Sequence, residues 1–141
     1  MNGIKLRGTG RCVPTNVVTN DDLAKLVDTS DEWIAARTGI RSRYRCGAET
    51  HTELCVNAAR AALKRAGAAP SEIGACIVAT VSADTVVPSA ACMLQRALGL
   101  SEDTPCFDLN AACTGFVYAL HTMECLLNAA PRKFGLVVGA E

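Results

Sequence analysis

The sequence has few aromatic residues and no excess of charge of either sign. One Trp, two Tyr and three Phe make up 4% of its 141 residues, so a core must be built mainly from aliphatic side chains and Cys. Fourteen basic residues balance fourteen acidic residues. This balance removes the broad electrostatic attraction that marks nucleic-acid and anionic-membrane binding, so we expect neither partner.

Long apolar runs and linkers are also missing. No run approaches the roughly 18 apolar residues of a membrane span, and the N-terminal stretch includes Lys5 and Arg7. We therefore expect a soluble, unexported protein. No stretch rich in Pro, Gly and Ser is long enough to separate two domains, and there is no short-period repeat. The sequence thus predicts one domain over residues 1–141.

Eight cysteines are scattered along the chain and no two form a C-x-x-C pair; they lie at positions 12, 46, 55, 76, 92, 106, 113 and 125. Zinc sites and dithiol oxidoreductases need clustered ligands, so we expect no metal and no redox cofactor. The scatter indicates a reducing, cytoplasmic compartment, although the even number would also permit a disulfide framework.

Strand-like and helical segments alternate along the chain. Short apolar runs predict buried strands over 75–81, 106–109 and 134–138, and an opening strand over 4–13 interrupted by two glycines. Capping signals mark helix starts at Asn20, at the S/T-x-x-E pairs Thr29/Glu32 and Thr50/Glu53, and at Ser89. Glycines end the predicted helices at positions 39, 67 and 99, and a last helix is predicted over 113–128.

This alternation predicts an α/β fold with a mostly parallel sheet flanked by helices. The chain stops at Glu141, directly after a strand that we expect to be central and that no later helix covers. We therefore expect the chain to be cut there, or completed by another chain.

Cys113 lies where a buried strand gives way to a helix, in the segment DLNAACTGF over 108–116. A helix N-terminus stabilises negative charge, so it favours the reactive thiolate. Small neighbours leave room for an acyl chain, Gly115 permits close backbone approach, and the N–H of Cys113 can face an oxyanion. The alternative is one more buried cysteine.

A nucleophilic thiol needs a base or ion partner within about 3 Å. His121 lies eight residues along the same helix, about 12 Å away along the axis. Nothing in the sequence brings His51 to Cys113. We expect both histidines to be structural or on the surface, and the base to be absent from this chain.

Several stretches resemble the β-ketoacyl-acyl carrier protein synthase III family, which has the thiolase-like fold. They are GTGRCVP at 8–14, TNDDLAKLVDTSDEWIAARTGIRSRY at 19–44, VPSAAC at 87–92, FDLNAACTGFVYAL at 107–120 and LVVGAE at 136–141. The resemblance covers essentially the whole chain and implies an N-terminal thiolase-like half, with the C-terminal half absent.

The resemblance also assigns site residues. It implies that Cys113 is acylated, that Trp33 and Arg37 sandwich the adenine of coenzyme A, and that Thr29 is a neighbouring contact. An indole and a guanidinium can stack on both faces of a purine. From the residues alone, Trp33 could be a core or interface aromatic and Arg37 part of a solvated basic face.

Val87 matches a position that, in the family, reaches across a homodimer into the partner's acyl pocket. Relatives often have an aromatic side chain there, so the smaller Val predicts a pocket less restricted than one for acetyl.

The implied function is an acyltransferase of fatty acid biosynthesis. Acyl-CoA loads Cys113, and condensation with malonyl-acyl carrier protein releases carbon dioxide and gives a 3-ketoacyl-acyl carrier protein. These molecules are substrates, and no cofactor is implied. The family's His and Asn come from a second half, so an isolated half is not expected to catalyse condensation. The alternatives are a related thiolase-like synthase of secondary metabolism, or a non-catalytic half that needs a partner chain.

Overall fold

The computed structural model describes residues 3–129 and 132–141. Its elements in chain order are β1 Asn16–Thr19, α1 Asn20–Ala24, α2 Asp31–Thr38, β2 Ser42–Arg45, α3 His51–Ala66, β3 Ile73–Ala79, α4 Ala90–Leu98, β4 Cys106–Leu109, α5 Gly115–Ala129 and β5 Phe134–Gly139. The chain forms two compact units. The sheet unit joins the segment that ends at Cys12 to Thr50–Glu141, and the second unit is Val13–Glu49.

The sheet unit contains three parallel strands in the order β4-β3-β5. Cys76 on β3 pairs with Cys106 on one side and with Leu136 on the other. All seven residues of β3 are buried, as a strand covered on both faces requires. The α/β class and the parallel sheet are therefore confirmed.

The two faces of β3 belong to two apolar clusters. Ile77 and its neighbours Ala75 and Ala79 pack with Ala119 and Met123 of α5. The alternate residues Cys76 and Val78 join a cluster with side chains of α3 and α4, namely Cys55, Val56, Ala59, Ala90, Ala91 and Leu94. This two-residue period is what a central strand between helix layers produces.

The last strand, β5, pairs with β3 on one side in the described sheet. Leu136 and Val138 pack in the cluster with α3 and α4 residues, whereas Val137 packs in the cluster with α5 residues. Both faces of β5 therefore contact clusters that include helix residues, and a central place for β5 in the whole sheet stays a prediction.

Most capping predictions in the sheet unit are confirmed. The side chains of Thr50 and Glu53 form a reciprocal capping box at the start of α3, and Ser89 accepts a hydrogen bond from the Cys92 N–H at the start of α4. Gly67 and Gly99 end these helices in the left-handed conformation, with φ of 62° and 68°. None of the described helices has both the length and the apolar character to cross a bilayer.

The opening strand predicted over 4–13 is wrong, because residues 3–14 form no strand. A Cβ added at Gly8 would lie 2.6 Å from the carbonyl oxygen of Ala62 and 2.7 Å from the nitrogen of Ala66, both on α3. A Cβ at Gly10 would overlap the carbonyl oxygen of Ala58. These glycines therefore allow the N-terminal segment to lie directly against a helix backbone.

The Val13–Glu49 unit contains the antiparallel pair β1 and β2, which the sequence analysis missed. Two predicted caps are also shifted by one residue. Thr19, not Asn20, caps α1 through a capping box with Asp22. Ser30, not Thr29, caps α2 by accepting from the Trp33 N–H. Gly39 ends α2 as predicted, with φ of 72°.

Candidate active site

The eight cysteines, all free thiols, differ in exposure. Burial raises the pKa of the Cys55 thiol to about 12, and a hydrogen bond with Cys106 together with burial raises the pKa of Cys76. Such thiols stay protonated and unreactive. Three cysteines are exposed, Cys46, Cys113 and Cys125, of which Cys46 follows β2 and Cys125 lies within α5. Of these, Cys113 alone lies within two residues of the start of a helix.

The turn that contains Cys113 has an unusual backbone. Residues Ala112–Thr114 form a single 3-10 turn between β4 and α5. The carbonyl oxygen of Ala111 accepts from both the N–H and the hydroxyl of Thr114, at 3.1 and 2.8 Å. Ala112 has φ of 44°, a left-handed conformation that costs a residue with a Cβ roughly 1–2 kcal/mol. The fold therefore holds strain directly before Cys113.

The turn lies at the carboxyl edge of the parallel sheet, where ligands of α/β proteins usually bind. Cys113 follows the end of β4, and α5 begins two residues later, so Cys113 directly precedes a helix N-terminus, whose first N–H groups lack intrahelical partners. The predicted close approach of a neighbouring backbone at Gly115 is wrong. A Cβ there would lie 3.5 Å from the Cβ of Ala79, which is ordinary contact.

No hydrogen bond joins either histidine to Cys113 among the described residues. The Nε2 atom of buried His51 lies 3.1 Å from the Thr80 hydroxyl and 3.3 Å from the Ala140 carbonyl oxygen. His51 therefore joins the ends of β3 and β5. His121 is exposed on α5, with its Nδ1 atom 3.8 Å from a Glu124 carboxylate oxygen.

The three residues assigned to coenzyme A lie in the Val13–Glu49 unit. Trp33 is 57% exposed, so it is not a core aromatic. The Cζ atom of Arg37 lies 5.4 Å from the centroid of the Trp33 ring, within the range of a cation-π contact. The hydroxyl oxygen of Thr29 is buried and has no hydrogen-bond partner among the described residues. A polar atom in that state is a candidate contact for a ligand.

Val87 lies in the sheet unit, in the loop of residues 80–89 between β3 and α4, which we call the β3–α4 loop. Its side chain is 84% exposed, and that of Val86 is 93% exposed. Two adjacent aliphatic side chains with this exposure are available for contact with another surface.

Sequence reasoning missed the carboxylates around this loop. Asp84 accepts from the N–H groups of His51 and Thr52, and the hydroxyl of Thr52 chiefly lowers its pKa. Asp108 accepts from the N–H groups of Ala90 and Ala91, both at 2.8 Å. The sequence signal for Asp108 is an acidic residue inside a short apolar run that predicts a buried strand, where an unpaired charge is costly.

Comparisons with known proteins agree with this geometry. Residues 107–141 match the family model 3-Oxoacyl-[acyl-carrier-protein (ACP)] synthase III. The β-ketoacyl-[acyl-carrier-protein] synthase III of Clostridium acetobutylicum is 46% identical over 141 residues, and that of Thiobacillus denitrificans is 46% identical over 138 residues. These alignments cover 100% and 97% of this chain but 43% of each relative.

Comparison with solved structures indicates the same family. The crystal structure of 3-oxoacyl-[acyl-carrier-protein] synthase III from Aquifex aeolicus superposes with a TM-score of 0.92 at 44% identity, over 99% of this chain and 45% of that one. The priming β-ketosynthase of the R1128 polyketide pathway superposes with a TM-score of 0.89 at 34% identity, over 96% of this chain and 40% of that one.

The fold is therefore that of the thiolase-like enzymes. The chain belongs to the β-ketoacyl-acyl carrier protein synthase III family and spans 43% of the length of the curated relatives described above.

Proposed function

We propose that the protein containing this chain is an acyltransferase of fatty acid biosynthesis that loads an acyl group from acyl-CoA onto Cys113. The supporting observation is an exposed thiol in a strained strand-to-helix turn at the carboxyl edge of the sheet. A reactive cysteine needs this combination of access and a positively polarised helix terminus. The family membership agrees with the assignment.

In the acylation step, the Cys113 sulfur attacks the thioester carbonyl of acyl-CoA. The new sulfur–carbon bond gives a tetrahedral oxyanion, to which the N–H of Cys113 can donate. The intermediate collapses by breaking the bond to the coenzyme A sulfur, which leaves as a thiolate and takes up a proton. The product is an acyl thioester on Cys113.

In the condensation step, malonyl-acyl carrier protein loses carbon dioxide, and the resulting enolate attacks the acyl carbonyl on Cys113. The bond to the Cys113 sulfur breaks, which releases 3-ketoacyl-acyl carrier protein and restores the thiolate. The family resemblance assigns stabilisation of the enolate to a His and an Asn from a second half. The residues of this chain are therefore assigned to acylation.

Trp33, Arg37 and Thr29 are proposed to bind the adenine end of coenzyme A. The exposed indole, the guanidinium over its face and the unpartnered hydroxyl of Thr29 supply two stacking surfaces and one polar contact. Arg37 already lies over the ring, so it must move outward to admit a purine between the two side chains. No cofactor is needed for this chemistry.

The exposed Val86 and Val87 support a homodimer in which the second copy covers this loop. A Val at position 87, where the family often has an aromatic residue, leaves space for primers larger than acetyl. Eight free thiols fit a reducing cytoplasmic compartment.

The acylation proposal is tested by intact-protein mass spectrometry of the full-length protein after incubation with acyl-CoA. We expect one acyl adduct on the wild type and on Cys125→Ala, and none on Cys113→Ala. Cys125 is the matched control because it is also an exposed thiol, but lies within α5 and away from the strand-to-helix turn. An adduct that persists in Cys113→Ala, or is absent from the wild type, would contradict the proposal.

The coenzyme A proposal is tested with Trp33→Ala. Stacking of a base on an aromatic ring is worth about 1–3 kcal/mol, so we expect the Kd for acyl-CoA to rise by about tenfold or more. Tyr44→Ala removes another half-exposed aromatic of the same unit and should change the Kd little. Acylation by an N-acetylcysteamine thioester, which lacks adenine, should not respond to Trp33→Ala; equal losses with both donors would contradict the assignment.

The two alternatives have weaker support. The polyketide priming synthase matches at 34% identity, against 46% for two curated β-ketoacyl synthases III. A non-catalytic subunit would be expected to lack the cysteine, whereas Cys113 is present and exposed.

A further inference from the structure

Carboxylates hold the β3–α4 loop at both of its ends. At its start, the Glu141 carboxylate accepts from the N–H of Val81 at 3.0 Å and from the hydroxyl of Ser82 at 2.6 Å. At its end, the Asp108 carboxylate accepts from the N–H groups of Ala90 and Ala91. These bonds fix the loop ends, while Val86 and Val87 between them remain exposed.

In its middle, the same loop is held by its own acidic residue. Asp84 accepts from the N–H groups of His51 and Thr52 at the start of α3. Of these three carboxylates, only that of Asp108 belongs to β4; Asp84 belongs to the loop and Glu141 follows β5. β4 leads into the turn of Cys113 five residues later.

Asp108 therefore joins the strand that leads to Cys113 to the start of α4. Its two oxygens each accept one N–H, and both N–H groups belong to the first turn of α4, directly after the loop with Val87. A carboxylate at a helix N-terminus gains from the helix dipole as well as from the two bonds. An amide in the same place offers one acceptor oxygen, so it can satisfy only one of the two donors.

We propose that Asp108 is a positioning residue that fixes the β3–α4 loop, which the proposed homodimer places at the acyl pocket of the second copy, and thereby sets which acyl groups that pocket accepts. This inference rests on the proposed function and adds a determinant of primer selection. Release of the contact with Asp108 lets Val87 move in the pocket of the second copy, so primers of different length should respond differently. A role in stability alone would change all primers alike.

The test compares Asp108→Asn with Ser89→Ala in the full-length enzyme. Both changes remove hydrogen bonds at the start of α4, but Ser89 bonds only within that helix start, to the Cys92 N–H. We expect Asp108→Asn to change the ratio of the kcat/KM values for acetyl-CoA and hexanoyl-CoA by about tenfold, and Ser89→Ala by less than about twofold. Equal scaling of both primers by Asp108→Asn would overturn the proposal.

Ala90→Pro provides a second variant if Asp108→Asn does not fold. It removes one donor to Asp108 but keeps the carboxylate, and proline is favoured at the first position of a helix. Ser89 has φ of −65° and ψ of 156°, the extended conformation that a residue before proline prefers. We expect a smaller change of the primer ratio in the same direction; an unchanged ratio would overturn the proposal.

Hydrogen exchange separates failure of this inference from failure of the proposed function. If the wild type takes no acyl group from any acyl-CoA, the proposed function fails. The exchange rates of the backbone amides of residues 81–89 still report on the contact between Asp108 and the start of α4. We expect faster exchange in Asp108→Asn than in Ser89→Ala. Equal exchange in the two variants would overturn the positioning role.

Discussion

Different interactions stabilise the sheet unit and the Val13–Glu49 unit internally. In the sheet unit, β3 is buried along its length between two apolar clusters, and its residues Cys76, Ile77 and Val78 are 0% exposed. In residues 13–49 the one buried residue is Asn20, a polar side chain. Apolar burial therefore stabilises the unit that contains Cys113, whereas polar contacts and caps hold the unit that contains Trp33.

The polar unit depends on a small hydrogen-bond network. The amide nitrogen of Asn20 donates to the Asp31 carboxylate and to the Ile40 carbonyl oxygen, both at 2.7 Å. Its amide oxygen accepts from Arg43 at 2.6 Å. Regions with few buried apolar contacts open more readily than cores. The difference suits the proposed roles, because a nucleophile needs a fixed frame and a stacking site must let Arg37 move.

The largest predicted loss of stability follows from truncation of a buried apolar side chain in the sheet unit. Ile77→Ala removes a fully buried side chain between β3 and α5, and such truncations cost about 2–5 kcal/mol because a cavity remains. Ile40→Ala makes the same chemical change at a side chain that is 45% exposed. Urea unfolding followed by circular dichroism should show a large loss for Ile77→Ala and a small one for Ile40→Ala. Similar losses would contradict the contrast between the units.

A smaller and local effect is expected from Asn20→Ala. It leaves the partners Asp31 and Arg43 without their part-buried bonds, at a cost of about 1–3 kcal/mol. Trp33 is the only tryptophan of these 141 residues, so the tryptophan fluorescence of this chain reports on the Val13–Glu49 unit. We expect the fluorescence transition in urea to move to lower concentration, with faster hydrogen exchange in residues 13–49 and little change in β3. Asn57→Ala, an exposed amide on α3, is the control. A loss spread over both units would show that they unfold together.

The sequence predicted the sheet unit well because its signals are local and agree with each other. The capping pair Thr50/Glu53, the glycines that end α3 and α4, and the apolar run of β3 each mark an element within one or two residues. In the Val13–Glu49 unit, neighbouring residues could serve equally as caps. Asn20 does not cap α1, because its amide is bonded to Asp31 and Ile40 instead.

The candidate site was predictable only in part. The position of Cys113 between strand and helix followed from the order of the elements, but the left-handed Ala112 did not, because alanine has no preference for that conformation. The bonds of Asp108 and Asp84 join residues that are 17 to 33 positions apart. Such contacts depend on the packing of whole elements, which no local pattern specifies.

The smallest predicted effect concerns Glu49, whose carboxylate accepts from the N–H and hydroxyl of Thr15 and from the N–H of Gly47. The hydroxyl of Thr15 chiefly lowers the pKa of Glu49 from its usual 4.5 to about 2. A carboxyl with a lowered pKa adds stability above its usual pKa, and this is lost as the pH falls through the lowered value.

The urea midpoint of Trp33 fluorescence should therefore be higher for the wild type than for Glu49→Gln at neutral pH. This difference should shrink between about pH 4.5 and about pH 2. Glu32→Gln, an exposed carboxyl of the same unit with no hydrogen bond to the described residues, should give no such pH-dependent difference. If the difference in urea midpoint between the wild type and Glu49→Gln stays constant down to acid pH, the shape of the Glu49 side chain, and not its charge, stabilises the Val13–Glu49 unit.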